Sequence, residues 1–432
     1  MPPPVIRALQ HRNFRLYIGG QGVSLVGTWL QTVAQSWLVY RLTDSAFLLG
    51  LTGFVSQAPV FFLAPIGGEL ADHLDRRRLL VWTQGISALL AAVLGALTVS
   101  GHVTIAQVLA VATLLGIVNA FDIPTRQSFV MEMVGREDLP NAIALNSSAV
   151  NLARALGPAL AGVLVAAVGE GFCFLLNAVS FAGVIVALLA MRLEPRRSPQ
   201  GELSPLRAIL DALGFVRENS SVRAILVLLG LVSVVGMPYA VLMPIFADRV
   251  LGGGSATMGL LLASTGVGAL AAALLLAVRA SARGLGRWIA GSAVGFGVAL
   301  AAFAASRSIP LSMAVLVATG FFMMTQMAAS NTLLQVLTPD ALRGRIMAFY
   351  SMMFMGMAPF GALGAGAAAQ HLGAPATVAI GGAVSVVAGL VFAWKLPVVR
   401  ASARALLAAQ EMVGGEPAEA ATPAQSLRAG SG

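Results

Sequence analysis

The chain of 432 residues is strongly apolar, with 58% hydrophobic and 10% charged residues. Water-soluble proteins carry about 25% charged residues, so this composition excludes an ordinary soluble enzyme. The net charge of +9 comes from arginines scattered in small groups between apolar runs, which excludes a basic, aromatic-interleaved nucleic-acid-binding domain.

Apolar runs long enough to cross a bilayer, about 20 residues each, follow one another along the chain. Six precede a central polar segment and six follow it, which predicts an all-α membrane protein of twelve transmembrane helices in two six-helix bundles. The predicted runs are at about 14–40, 46–71, 79–100, 104–123, 141–168, 171–192, 223–247, 256–279, 285–306, 310–336, 345–369 and 374–396.

The first predicted helix carries a stripe of polar residues at steps of three and four, which places them on one face. Five polar groups facing lipid would be costly, so the stripe faces either other helices or a watery cavity. Hydrogen bonding between helices is one interpretation, but we favour a substrate cavity because glutamines are bulky for a close-packed seam. The stripe consists of Gln21, Ser24, Thr28, Gln31 and Gln35.

The loop after the second run reads GGELADHLDRRR. Gly68 is expected to let two helices approach closely, Asp72 lies at a helix end, and Arg76 begins a basic group that keeps the loop in the cytoplasm. An ordinary positively charged loop is the alternative interpretation.

The fourth and fifth runs carry the charged residues of the first half. Asp122 ends the fourth run in FDIPTR, and Arg154 lies inside the fifth. A charge within the membrane is a functional candidate, and Asp122 is the expected partner of Arg154. A structural salt bridge at a cytoplasmic gate is one interpretation, and a direct substrate or proton role is the other. Candidates for gating or ion coupling are therefore Asp72, Arg76, Asp122, Arg126 and Arg154.

The fifth run also contains RALGPALAG. Pro158 removes a backbone donor, while Gly157 and Gly162 permit close approach, so this helix is expected to be kinked in a tight interface. A merely kinked membrane helix remains the alternative.

In the second half, the tenth and eleventh runs are rich in methionine and phenylalanine, in FFMMTQMAASN and YSMMFMGMAPF. Such side chains form a soft apolar wall. Core packing is the commoner explanation, but the neighbouring polar residues Gln326, Asn331 and Tyr350 suit a cavity for a bulky, partly apolar cargo.

The predicted domains are an N-terminal bundle at 1–192, a cytoplasmic linker at 193–222, a C-terminal bundle at 223–397 and a largely disordered cytoplasmic tail at 398–432. Only Arg41, Arg249 and Arg307 fall in loops on one side of the membrane; apart from Arg154, the other Lys and Arg residues lie on the opposite side. Cytoplasmic loops carry excess Lys and Arg, so both termini are expected in the cytoplasm.

These motifs resemble those of the major facilitator superfamily. Its loop between helices 2 and 3 has the pattern GxLADRxGRK/R, which Gly68, Leu70, Asp72 and Arg76 match in part, although His73 and Asp75 depart from it. The Gly-Pro motif is typical of the superfamily's exporters. The segment from Asn119 to Gly162 is similar to the branch that includes the enterobactin exporter and related siderophore or macrolide efflux proteins.

The resemblance implies a secondary exporter of a small molecule in the bacterial inner membrane, working as a monomer by alternating access in the lipid bilayer. A proton is the expected coupling ion, with Asp122, Asp72 or Glu69 as carriers. There are two alternatives: an importer of the same fold, and a transporter-like receptor or assembly partner without its own cargo.

Other function classes lack their motifs. The chain has no GxxxxGK[ST] and no HExxH, and one cysteine, Cys173, cannot form an intramolecular disulfide. We therefore expect no enzyme activity, no metal, no cofactor and no nucleic-acid partner.

Overall fold

The computed structural model describes residues 4–192, 213–278 and 284–413. Much of the predicted linker, and residues 414–432 of the predicted tail, lie outside this part of the chain. Asp72 is described by its backbone alone.

Within the described ranges, twelve long helices form the body of the protein, which confirms the predicted all-α membrane fold. Eleven of them are long and apolar enough to cross a membrane. The first has 32 residues and is also long enough, but its polar stripe makes it less apolar. The helices are α1 Arg12–Thr43, α2 Ala46–His73, α3 Arg76–Val99, α4 Ile105–Gly135, α5 Glu137–Val168, α6 Glu170–Ala190, α7 Ser220–Ala240, α8 Ser255–Val278, α9 Leu285–Ala305, α10 Ile309–Leu337, α11 Leu342–Leu372 and α12 Ala374–Val413.

Local sequence sets several helix boundaries. The Asp75 carboxylate accepts a hydrogen bond from the Arg78 backbone at 3.0 Å and so caps the start of α3. Thr104 and Gln107 form a capping box at the start of α4. Gly135, at φ 72°, separates α4 from α5, so α4 runs past the predicted end at residue 123. Helix α12 continues through Pro397 to Val413, into the predicted tail.

Polar side chains join the two halves at one end of the molecule. We call the end that carries Asp44, Glu170 and Asp248 the far end, and the end that carries Arg192 and the loop between α2 and α3 the linker end. At the far end, the Tyr40 hydroxyl donates to Asp248 at 2.6 Å, Arg249 pairs with Asp44, and the Gln370 side chain accepts from the Ser45 hydroxyl and the Phe47 backbone.

Glycines allow helices of opposite halves to cross closely near the far end. A Cβ added to Gly162 of α5 would lie 2.5 Å from the Ser255 carbonyl and 2.8 Å from the Gly259 Cα of α8. Helix α2 of the first half crosses α11 of the second half in the same way. A Cβ on Gly50 of α2 would lie 2.8 Å from the Gly366 Cα of α11. The two halves therefore contact each other through two glycine crossings of the same kind.

Large apolar side chains cover the outside of the helices. Trp82, Val179, Leu274 and Trp394 are among those that are more than half exposed. A soluble monomer rarely exposes so continuous an apolar surface, whereas lipid tails solvate it.

Candidate functional site

A cavity of about 600 Å³ lies between the two halves. Its first-half wall is mostly polar and its second-half wall is mostly apolar, with Met237, Met258, Leu262, Met323 and Phe354. Of the described residues that line it, Asp122 is the one acid, and Arg126 and Arg154 are the two cations.

The polar stripe of α1 faces this cavity, and all five of its residues are among the lining residues. Gln31 also accepts a hydrogen bond at 2.5 Å from Asn177 of α6. The stripe therefore does both of the things considered for it: it lines the cavity, and through Gln31 it forms a hydrogen bond to another helix.

Asp122 lies at the centre of a polar network with four donor groups. One carboxylate oxygen accepts from the Thr83 hydroxyl at 2.7 Å and from the Gln84 amide at 2.8 Å. The other accepts two hydrogen bonds from Arg126, at 2.6 and 2.9 Å, and Arg126 also donates to Gln21. Since all four partners donate, the network suits the charged carboxylate.

The expected pair between Asp122 and Arg154 is wrong. Asp122 pairs with Arg126, four residues along α4, because residues at that spacing lie on the same helix face. Arg154 forms no ion pair or hydrogen bond within the described part of the chain, and it lines the cavity together with Tyr239 of α7.

The three residues expected to line the cavity from the second half are not among its lining residues. Gln326 is 2% exposed with an unbonded amide nitrogen, Tyr350 donates to the Met327 carbonyl at 3.2 Å, and Asn331 accepts from Gln335 at 2.5 Å. They pack within their own half.

Sequence reasoning missed Tyr239 and Thr265, which supply the polar groups of the second-half wall. Tyr239 lies in a 3-10 turn, Met237–Ala240, which replaces the last α-helical turn of α7. The signal was available as the Gly-Met-Pro sequence that interrupts this apolar run, since proline removes a helical hydrogen bond.

The α2–α3 loop motif organises the linker end. Arg76 pairs with Glu132 of α4 at 2.7 Å, and Arg77 donates to the Leu189 carbonyl of α6 at 2.6 Å. The close approach expected at Gly68 occurs one residue earlier: a Cβ on Gly67 would lie 3.1 Å from the Phe121 Cα, whereas Gly68 has open space.

The Gly-Pro motif of α5 lies between α1 and α8. A Cβ on Gly157 would lie 2.7 Å from the Trp29 ring of α1, while Pro158 is buried and its carbonyl faces Gly259. This places the motif beside the cavity, at a crossing between the halves.

Within the described ranges, no group of three or more His, Cys, Asp and Glu side chains could hold a metal ion.

A family model described as a transmembrane secretion effector, of the MFS_3 type, matches residues 6–422. The staphyloferrin A transporter of Staphylococcus aureus is 26% identical over 85% of this chain and 92% of its own length. The multidrug efflux pump Tap of Mycolicibacterium fortuitum is 26% identical over 81% and 88%. The enterobactin exporter EntS of Citrobacter koseri is 28% identical over 78% and 80%.

Solved structures share the fold at low sequence identity. The nucleoside transporter NupG superposes with a TM-score of 0.70 at 14% identity, covering 89% of this chain and 98% of its own. A bacterial homologue of the lysosomal transporter Spinster, in an inward-facing and unoccupied conformation, gives a TM-score of 0.62 at 16% identity, over 94% and 98%.

Proposed function

We propose that this chain, which belongs to the transmembrane secretion effector family of the major facilitator superfamily, exports a small organic molecule across the bacterial cytoplasmic membrane by alternating access. Membership makes the chain a membrane transporter and not an enzyme. The proposal concerns the direction of transport, the cargo and the coupling.

The observation that carries the proposal is the cavity between the two halves. The halves are also joined by polar contacts at the far end. In an alternating-access carrier, two repeated halves rock about a central site. The paired glycine crossings of α2 with α11 and α5 with α8 provide contacts about which such rocking can occur. We place the linker end in the cytoplasm and propose that the cavity receives cargo from the cell interior.

The cargo class follows from the wall chemistry and the relatives. One wall offers amide and hydroxyl groups, and the other offers methionine and aromatic surface, which together suit a bulky compound with polar and apolar parts. Relatives are named for staphyloferrin A, enterobactin and multidrug efflux. We propose a siderophore, a macrolide or another lipophilic compound as cargo.

Proton coupling is assigned to Asp122, the acid among the described residues that line the cavity. Protonation would remove the charge that holds Arg126, and a freed Arg126 could then change partners as the halves move. The network therefore links a proton-binding group directly to α1 through Gln21.

The test is uptake of staphyloferrin A, enterobactin and a macrolide into inside-out vesicles under an imposed pH gradient, acid inside. We expect uptake of at least one compound with the intact chain and loss of its gradient dependence in Asp122→Asn. Glu170→Gln is the matched control, because Glu170 pairs with Arg41 at the far end, outside the cavity.

Uptake that ignores the pH gradient would overturn proton coupling while leaving export in place. Gradient-driven accumulation in right-side-out vesicles alone would instead establish an importer.

A further inference from the structure

The charges around the cavity do not balance. Arg126 is neutralised by Asp122, but Arg154 also faces the cavity, and no second acid lines it among the described residues. Arginine keeps its charge at any physiological pH. The apo cavity therefore carries one net positive charge.

An uncompensated guanidinium within a membrane protein is costly, and such residues normally pair with another group or face water. Arg154 is half-buried, and its position is fixed because α8 packs on its backbone: a Cβ on Gly266 would lie 2.5 Å from the Arg154 carbonyl. This crossing holds the backbone of Arg154 beside the cavity that its side chain lines. A bound anion would satisfy it in place.

A second donor, Tyr239, also lines the cavity. Tyr239 is 5% exposed, and the hydrogen bond from its hydroxyl to the Thr265 hydroxyl is 3.5 Å long, at the limit of a useful bond. This weakly engaged hydroxyl belongs to the lining of the same cavity as Arg154. The two groups together form a donor pair suited to one negatively charged group.

We propose that the cavity binds an organic anion, with an apolar body and one carboxylate or similar negative group held between Arg154 and Tyr239. This assignment rests on the proposed transport function and specifies its cargo class. The apolar body would lie against Met258, Leu262 and Met323, which belong to the second-half wall.

The location of the two donors gives the anion a further role. Arg154 belongs to α5 of the first half, and Tyr239 belongs to α7 of the second. An anion between them bridges the halves, so its binding favours a state in which this part of the cavity is closed. Cargo lacking the negative group would enter but would not draw the halves together.

The test compares two compounds of the same shape, 2-naphthoate and the neutral 2-naphthamide, with the full chain purified in detergent. A ligand that binds only the folded state raises the midpoint of thermal unfolding, and the rise grows with the logarithm of its concentration once that exceeds the Kd. We expect 2-naphthoate to raise the midpoint and 2-naphthamide to leave it nearly unchanged.

Variants assign the effect to the donor pair. We expect Arg154→Gln to weaken 2-naphthoate binding roughly ten- to a hundred-fold, since a charged hydrogen bond is lost, and Tyr239→Phe to weaken it roughly two- to tenfold. Arg154→Lys should retain part of the binding, which separates loss of charge from loss of folding. Arg287→Gln is the matched control, because Arg287 is exposed on α9 away from the cavity.

Equal stabilisation by the amide, no stabilisation by 2-naphthoate, or full binding by Arg154→Gln would overturn the anion site. Failure of the proposed function is distinguishable: Arg154-dependent binding without accumulation of any compound in inside-out vesicles would leave the anion site standing and remove export.

Discussion

Asp122 and Arg126 show how a charge pair is kept inside an apolar bundle. Their side chains are 7% and 18% exposed, and every strong acceptor position of Asp122 is occupied by a donor. A buried pair is costly to desolvate, but breaking it is costlier, because the remaining charge is left without a partner.

This argument predicts a non-additive effect on stability. Asp122→Asn should lower the free energy of unfolding by about 3–5 kcal/mol, because Arg126 is left uncompensated. The double variant Asp122→Asn with Arg126→Gln should lose less than the single one. Thermal unfolding of the purified chain measures both.

The exposed far-end pair provides the control for that prediction. Asp44 and Arg249 are 57% and 55% exposed, so Asp44→Asn should cost no more than about 1 kcal/mol. Equal losses in the single and double cavity variants would show that the pair does not act as a unit.

At the same scale, the sequence predicted which side chains matter better than it predicted their partners. The stripe on α1 could be found because helical periodicity alone decides its face. The partner of Asp122 was assigned wrongly to Arg154, although Arg126 stands at the closer i+4 position. Gln326, Asn331 and Tyr350 were expected in the cavity, but rotation of α10 and α11 about their axes is set by packing that one sequence does not reveal.

The helix crossings at the far end depend on glycine at facing positions. At Gly162 and Gly259, each backbone occupies the space that a side chain of the other would need. The far end is therefore closed by backbone contact, which any side chain on either helix would prevent.

Gly162→Val should accordingly shift the population away from the closed far end. An overpacked contact costs about 1–3 kcal/mol, which corresponds to a change of roughly 5- to 150-fold in the ratio of two states. The measurement is labelling of Thr52→Cys, a buried cavity residue, by an impermeant maleimide added on the far-end side, with Cys173→Ala as background.

Gly183→Val is the matched control, since its added side chain would meet open space on α6. Labelling should rise with Gly162→Val and stay at the starting level with the control. An unchanged rate in both would mean that the α5–α8 crossing does not close the far end.

Helix boundaries could be predicted where an apolar run ends in turn residues. They were predicted less well where no turn residue marks the end of the run. Asp75 and Thr104 mark helix starts that composition alone locates within a few residues. By contrast, α4 continues for twelve residues beyond the predicted end at 123. Pro124 lies inside the helix and does not end it, and the helix is interrupted only at Gly135. The turn at Met237–Ala240 lies within an apolar run, where Gly236 and Pro238 are the residues that indicate it.

At the scale of the molecule, the distribution of arginine gives a testable orientation. Arg41, Arg249 and Arg307 lie at the far end, while the loop with Arg76 and the residues around Arg192 lie at the linker end. Excess positive charge stays in the cytoplasm, so we expect the linker end there.

Fusion reporters check this orientation. Green fluorescent protein joined after Arg192 or Val413 should fluoresce, and alkaline phosphatase joined after Ser100 should be active, because the two reporters work only inside and only outside the cytoplasm, respectively. The converse set of signals would contradict the orientation and would also reverse the proposed direction of cargo entry.

The whole fold was predictable because alternation of apolar runs and loops depends on chain length and hydropathy, which one sequence contains. The cavity was predictable only on its first-half side. Its second wall is formed where α7 loses helical form and α8 crosses α5, and both follow from contacts between distant segments.

The polarity of α1 also bears on how the chain is made. A nascent helix with three glutamines on one face partitions weakly into lipid as it leaves the ribosome. Its hydrogen bond to Asn177 requires α6, which is synthesised later. We expect stable insertion of the amino-terminal segment to wait for the whole first bundle, so the same face that receives cargo in the mature transporter also makes its biogenesis cooperative.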